Sequence, residues 1–340
     1  MNLHIKQVAQ KLHTTSRTIR YYEEKGLIKP EKSHNDYRIF REEQIQLLQT
    51  ILSLREIGMS TNQIKNTMEN GQELDHHLNH QRSILYSDLL ELKDMIGALD
   101  EMIASPSGDL FEKAKFLKEL KEKRQAWTDR WSFDQQAVTY NVDLKKEGYA
   151  FNVHEGYDEA LERAYQLIDA SVGETGVDIG IGTGNLGSRF LEKGSRIIGI
   201  DQSDEMLAIC KSHYPEIDTR HGHFLRLPVM DHSADFITTS YALHHVEEQD
   251  KILALEEMNR ILKPFGRLVI ADLMFDDDEE RARVLQAFKN QGNENAIEAI
   301  EDEYYADRSR LVSNLENLGF QVDCNKINDI LHIVFAEKKG

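Results

Sequence analysis

Gly180, Gly182 and Gly184 stand at alternate positions directly after the short apolar run Val177-Asp178-Ile179. Glycines placed so at a strand end let backbone N–H groups face a ligand with no Cβ in the way. The run after them, Asn185 to Glu192, is compatible with a helix. A second apolar run, Ser195 to Ile200, leads to Asp201. A carboxylate at the tip of a second parallel strand can accept from both hydroxyls of a ribose. The combination describes a pocket for an adenosine-bearing ligand at the carboxyl ends of a parallel sheet. It leaves a nicotinamide dehydrogenase open, because Gly182, Gly184 and Gly187 also fit the dinucleotide fingerprint.

Such a pocket needs a doubly wound sheet. Beyond residue 132 apolar strands alternate with helical patterns, as that architecture requires. Strands are expected near 177–180, 196–200, 217–221, 235–239 and 267–272. A closing antiparallel pair is expected near 320–325 and 330–336.

The chain has 340 residues, which gives a prior of about two domains. No apolar run approaches the ~18 residues of a membrane span, and the first residues lack a signal peptide's apolar core. No membrane association and a cytoplasmic location are therefore expected. Cys210 and Cys324 are far apart in the sequence, so neither a disulfide framework nor a thiolate metal site is indicated. His76 and His80 sit one helical turn apart without carboxylate or thiolate partners, which reads as a solvated face. No metal site is expected. The net charge of −18 is uneven: residues 1–66 hold eleven basic against seven acidic side chains, and the remainder is strongly acidic. A small basic module on an acidic body points to a localised nucleic-acid contact.

Within that module Ile5, Val8, Ala9 and Leu12 share one helical face. The turn His13-Thr14-Thr15 leads to Ser16, read as the N-cap of a second helix through Glu24 that Lys25-Gly26 ends. Two short helices joined by a tight turn make a helix-turn-helix candidate. The residues Thr18 to Pro30, with the tandem Arg20-Tyr21-Tyr22, and the later run Asn35-Asp36-Tyr37-Arg38-Ile39-Phe40 resemble the DNA-binding domain of MerR-family transcription regulators. The resemblance covers about the first 70 residues. It implies that the second helix enters the major groove of double-stranded promoter DNA and that a wing lies beside it. The matching contact residues are Thr15, Ser16, Arg17, Arg20 and Tyr21, with Tyr37 and Arg38 in the wing and Arg55 on a phosphate. It also implies remodelling of a promoter for RNA polymerase.

After helical runs at 42–57 and 61–69, Leu78, Leu85, Leu89, Leu92, Ile96, Leu99 and Ile103 form a heptad seam, interrupted where Arg82 takes an apolar slot. An amphipathic helix packed on its own domain fits the same spacing. The MerR resemblance implies an antiparallel coiled coil and a homodimer. The run Ser105-Pro106-Ser107-Gly108 breaks the chain, and a helix is expected from Asp109 to Trp131. Trp127 and Trp131 at its end are expected to pack against the next domain.

The later segments Gly222 to Pro228, Asp235 to His245 and Asn259 to Asp272 resemble class I S-adenosylmethionine-dependent methyltransferases over roughly the last 200 residues. Asp134 to Tyr157, Ser240 to His245, Ala271 to Phe275 and Glu303-Tyr304-Tyr305 resemble the small YrrT-type members. The resemblance implies a seven-stranded, Rossmann-like α/β sheet and S-adenosyl-L-methionine as cofactor, leaving S-adenosyl-L-homocysteine. It implies that Asp178, Gly180, Gly182 and Gly184 shape the methionine end and that Asp201 and its neighbour Gln202 take the ribose. Met206, His223 and Phe224 would flank the adenine, where the family commonly has an acid in place of His223. Tyr241, His244 and His245 are the substrate-side candidates. A cover from Phe133 to Tyr157, with Tyr140, Asn141, Tyr149 and His154, would close the site, and Tyr304 and Tyr305 are further candidates for the acceptor pocket.

The expected organisation is a multidomain chain: a winged helix-turn-helix at 1–70, a dimerisation helix at 71–104, a connector at 105–131 and a methyltransferase domain at 132–340. The expected function is a MerR-like regulator whose effector domain methylates a small molecule. A non-catalytic sensor of the same nucleosides is the alternative. DNA as acceptor is disfavoured, because no Asn/Asp-Pro-Pro-Tyr/Phe motif follows the fourth strand. Acceptor, operator and the sign of regulation are not specified.

Overall fold

Val8, Ile19, Tyr22, Phe40, Ile51 and Ile64 come from five separate segments, yet all are buried in one cluster. In this computed structural model, which describes residues 3–33, 35, 37–69, 74–104, 110–144 and 152–340, that cluster is the core of the first of two units, Met1–Arg82 and Ser83–Gly340. The break at 105–108, Asp36 and Tyr149 lie outside the described residues.

The first unit contains α1 (Ile5–Lys11), α2 (Ser16–Glu24), α3 (Glu42–Glu56) and α4 (Thr61–Glu69). A small antiparallel sheet in the order β1-β3-β2 accompanies them, made of β1 (Leu3–His4), β2 (Glu31–Lys32) and β3 (Arg38–Phe40). The cap of α2 is one residue earlier than expected. Thr15 is extended, and its hydroxyl accepts from Thr18 N–H at 3.0 Å, so Ser16 is the first helical residue. Both are N-cap formers, and spacing alone does not choose between them.

α5 (Leu74–Ala104) is 31 residues long, about 46 Å at the α-helical rise. Leu85, Leu92, Ile96, Leu99 and Ile103 are all exposed, Ile103 by 75%, whereas Leu78 packs on the core of the first unit. α6 (Leu110–Gln125) is tied to α5 by Lys121–Glu91, Lys113–Glu101 and Arg124–Asp94 ion pairs. It ends six residues earlier than expected. Beyond it the Trp127 indole donates to Gln202, and the Asp129 carboxylate accepts from Trp131 and Phe133 N–H. That local turn takes the chain off the helix axis, which the Lys/Glu alternation of α6 did not reveal.

The second unit holds a mixed sheet in the order β10-β11-β8-β7-β4-β5-β6. Its strands are β4 (Thr175–Ile179), β5 (Arg196–Asp201), β6 (Asp218–His221), β7 (Ala234–Ser240), β8 (Leu262–Phe275), β10 (Phe320–Lys326) and β11 (Leu331–Lys338). A two-residue strand, β9 (Ala306–Asp307), adds an eighth beside β8, where seven were expected. β11 is antiparallel to both its neighbours, and the ladders joining β8, β7, β4, β5 and β6 are parallel. Along β8, Leu268 and Ile270 belong to one apolar cluster and Val269, Ala271 and Leu273 to the other. This period of two shows that both faces of the sheet are covered. The chain builds β4, β5 and β6 outward, then returns to place β7 on the other side of β4. That reversal opens a crevice at the carboxyl ends of the strands.

Replacing Thr15 by Ala removes the cap of α2. The expected cost is about 1 kcal/mol, read as a lower urea midpoint for the first unit with the second unchanged.

Candidate functional site

The crevice holds a cavity open to solvent at the carboxyl ends of the strands, where open α/β sheets place their ligands. Each strand end supplies part of its wall: Ile179 to Gly182 after β4, Asp201 and Gln202 after β5, Gly222 to Phe224 after β6, and Ser240 to Ala242 after β7. Phe133, Tyr140, Tyr157 and Trp127 close it from the N-terminal side.

Asp201 fixes the geometry of the loop. One oxygen accepts from Gly182 N–H at 2.8 Å and the other from Ser203 N–H at 2.9 Å, so the Gly182 N–H is already used by the protein. Gln202 N–H is a third backbone donor to the carboxylate, which leaves about one of its four acceptor positions open. Burial pushes the carboxyl up to about 6, against the lowering effect of these N–H bonds. Gly182 has φ +54 and no heavy atom within 4 Å of where a Cβ would lie. A Cβ on Gly180 would fall 2.4 Å from that of Ala242.

Two of the expected cofactor residues stand back from the cavity wall. Asp178 lies behind the loop, where it accepts from the Thr238 hydroxyl at 3.0 Å and from Gly187 N–H. Burial pushes it up to about 7. Its partners make it a brace for the glycine turn. Gly184 turns toward Tyr214 and Cys210 instead. Gly180, Gly182, Asp201, Gln202, Met206, His223, Phe224 and Tyr140 all line the cavity.

His223 stacks on Trp127 with ring centroids 4.9 Å apart and planes within 4°. Burial pushes it down to about 3, so it is neutral near pH 7, and its Nδ1 is buried without a hydrogen-bond partner. Trp127 was expected to serve domain packing. It also forms part of the cavity wall, and its spacing carried no sign of this.

The substrate-side candidates separate. Tyr241 and His245 line the cavity, but His244 does not. Tyr241 has φ +50, a region that costs a tyrosine backbone strain, and its hydroxyl has no partner. Burial raises its pKa and lowers that of His245. His244 is turned to Asp272, with Nδ1 and Oδ1 2.5 Å apart. Burial opposes its protonation, but the Asp272 carboxylate outweighs that and raises its pKa. Asp272 also accepts backbone N–H groups from Ala242, Leu243, His244 and Leu273. It thus shapes the loop that carries Tyr241 and His245. The sequence reading gave it no role, because its partners lie some thirty residues upstream.

The cover is pinned by side chains. Asn141 Oδ1 accepts from the Thr183 hydroxyl and the Asn185 amide, each at 3.0 Å. Asp134 accepts from the Ser203 hydroxyl at 2.6 Å. His154 is held neutral by burial, down to about 4. Tyr304 and Tyr305 do not line the cavity: the Tyr304 hydroxyl bonds Arg130, and Tyr305 packs beside Phe275.

In the first unit Arg17, Arg20 and Tyr21 are exposed on α2 and Tyr37 on the β2–β3 connection, whereas Ser16 is half-buried. Arg38 is held by Glu23 at 2.6 Å. Arg55 donates to Met59 O and bonds the Tyr22 hydroxyl. Both arginines are therefore engaged within the unit.

A family model described as a methyltransferase domain matches residues 177–270, and one described as MerR HTH family regulatory protein matches 3–71. An uncharacterized methyltransferase of Alkaliphilus oremlandii is 34% identical over 209 residues, 61% of this chain and 96% of its own length. One from Oceanobacillus iheyensis is 30% identical over 207 residues, 61% of this chain and 95% of its own. The chain belongs to this methyltransferase family. It joins the methyltransferase domain to an N-terminal MerR helix-turn-helix domain. Among solved structures, the YcgJ protein of Bacillus subtilis has a TM-score of 0.45 at 18% identity, covering 54% of this chain and 99% of its own. No helix among the described residues is long and apolar enough to cross a membrane.

Removing the Asp272 carboxylate would strand the His244 ring and several backbone donors. Asp272→Ala is expected to cost about 3–5 kcal/mol in urea unfolding, and a His244 resonance that persists should titrate at lower pH.

Proposed function

We propose that this protein is a DNA-binding regulator whose methyltransferase unit binds S-adenosylmethionine in the strand-end cavity and methylates a small acceptor. The observation that carries the cofactor reading is Asp201, which holds the glycine loop at the tip of β5, lines the cavity and keeps an acceptor position open for a ribose hydroxyl. Gly182 leaves room beside it for the methionine tail. Neutral His223 has Nδ1 available to accept from the adenine amino group, between Trp127 and the Phe224 and Met206 side of the cavity. A nicotinamide dinucleotide fits less well, because Phe133, Tyr140 and Tyr157 line the cavity and take up space that a second nucleotide would need.

Methyl transfer from a sulfonium is an in-line displacement, so the protein's work is to align the acceptor and to take its proton if it has one. Tyr241, with an unpartnered hydroxyl, and neutral His245 are the groups assigned to the acceptor. His244 acts behind them through Asp272. The aromatic cover excludes water.

Regulation would run through α6. Its C-terminal extension places Trp127 in the cavity wall, and Arg226 donates to the Arg124 carbonyl while Arg124 pairs with Asp94 of α5. A nucleoside that favours one position of Trp127 biases one arrangement of the arm, and this unequal binding is what coupling requires. The exposed stripe from Leu85 to Ile103 is assigned to an antiparallel coiled-coil homodimer, which would present two winged heads to a two-fold operator and to RNA polymerase.

Calorimetry with S-adenosylhomocysteine tests the site. Ribose hydroxyls favour the ionised acceptor, so affinity should be flat above the Asp201 pKa and fall as pH drops through about 6. Asp201→Ala should weaken binding at least tenfold at pH 7.5 and remove that dependence, and unchanged uptake would sink the reading. Methyl release over a panel of small acceptors then separates an enzyme from a sensor: binding without turnover on any acceptor supports the sensor, which His223 in place of an acid favours.

The dimer is tested by light scattering. Ile96→Glu with Leu99→Glu should halve the solution mass and weaken operator binding, and an unchanged mass would overturn the assignment.

A further inference from the structure

We infer that His244, His245 and Glu303 form a binding site for a divalent metal ion of the zinc class at the acceptor end of the cavity. One ligand atom from each lies within 4.8 Å of the others. His244 Nε2 and the Glu303 carboxylate are 3.7 Å apart, too far for a hydrogen bond. Two ligands of one tetrahedral zinc ion stand about 3.4 Å apart, so a small contraction would seat the ion. Two imidazoles with one carboxylate make a donor set typical of catalytic zinc, and it leaves a coordination position for water or substrate.

Three further observations fit an ion. The first is the orientation of His244: Asp272 holds Nδ1 and thereby leaves Nε2 as the ligand atom, the carboxylate–histidine arrangement that supports metal ligands. The second is His245, whose Nδ1 is buried without a partner, a state that costs free energy unless something binds there. The third is charge. The Asp272 and Glu303 carboxylates both act on His244, while the Lys251 ammonium is taken up by the Val246 and Tyr304 carbonyls and by Glu248. A divalent cation standing where the His244 proton would otherwise sit balances those two carboxylates.

No sequence spacing revealed the set, because Glu303 lies far along the chain from the two histidines. His245 lines the cavity, so an ion there would meet an acceptor bearing a hydroxyl or thiol and lower its pKa. That would supply the nucleophile for methyl transfer at neutral pH. The use of the ion rests on the methyltransferase reading, whereas its binding does not.

The test uses full-length protein stripped with a chelator, desalted, and titrated with Zn²⁺ or Co²⁺ without nucleoside. The expected result is one ion per chain at this site, a visible Co²⁺ absorption displaced by Zn²⁺, and at least tenfold weaker binding in Glu303→Gln and His245→Ala. His76 and His80, with rings 4.7 Å apart, offer Zn²⁺ a second place to bind. The His76→Ala/His80→Ala variant should therefore keep the Co²⁺ absorption. Absorption lost in that variant but retained in Glu303→Gln would overturn the assignment. If the site variants fail to fold, the Co²⁺ spectrum of the His76→Ala/His80→Ala variant decides, and its absence sinks the proposal. S-adenosylhomocysteine binding measured in parallel tests the nucleoside cavity by itself.

Discussion

A single carboxylate bridges the two strand ends on which the cavity is built. Asp201 closes β5 and accepts from the glycine loop after β4 with one oxygen and from the turn after β5 with the other. The two loops therefore cannot drift apart without breaking a buried, charge-assisted contact. The arrangement has its own cost, since burial raises the carboxyl to about 6. Asp178, behind the loop, is under the same pressure and reaches about 7. Two buried acids with raised pKa values oppose folding of the empty protein as pH climbs through these values. A ligand that donates hydrogen bonds to Asp201 relieves part of that penalty, so the site is better suited to being filled than to standing open.

A second carboxylate organises the other side. Asp272 gathers backbone donors from the segment after β7 and holds His244, and so sets the direction in which Tyr241 and His245 project. Tyr241 keeps a left-handed backbone because this hydrogen-bonded loop over-determines it. The two ends of the cavity are thus stiffened independently, by Asp201 at the tip of β5 and by Asp272 within β8.

Much of this was legible in the sequence for physical reasons. Alternating glycines, apolar runs with period two and the acid at Asp201 are local signals, and they located the sheet and the cavity at its strand ends. The helix-turn-helix was likewise carried by neighbouring residues. What escaped were contacts whose partners are distant in the chain: Trp127 with Gln202 and His223, His244 with Asp272, and Asp178 with Thr238. Adjacent His244 and His245 look equivalent on paper, yet one is buried behind the loop and the other lines the cavity, because a tight helical turn sends neighbouring side chains in different directions. The early end of α6 was hidden because no Pro or Gly follows Gln125, and the stop is set by the contacts of Trp127 and Asp129 instead.

Trp127 belongs to the strip of chain that leaves α6, well before residue 177, where the methyltransferase family model begins matching. The stretch the family model matches and the stretch needed to line the cavity therefore have different borders. A fragment trimmed to the former would be a vessel missing one side, open to solvent where the indole should stand. In this chain the strip between α6 and the sheet is therefore wall as well as spacer.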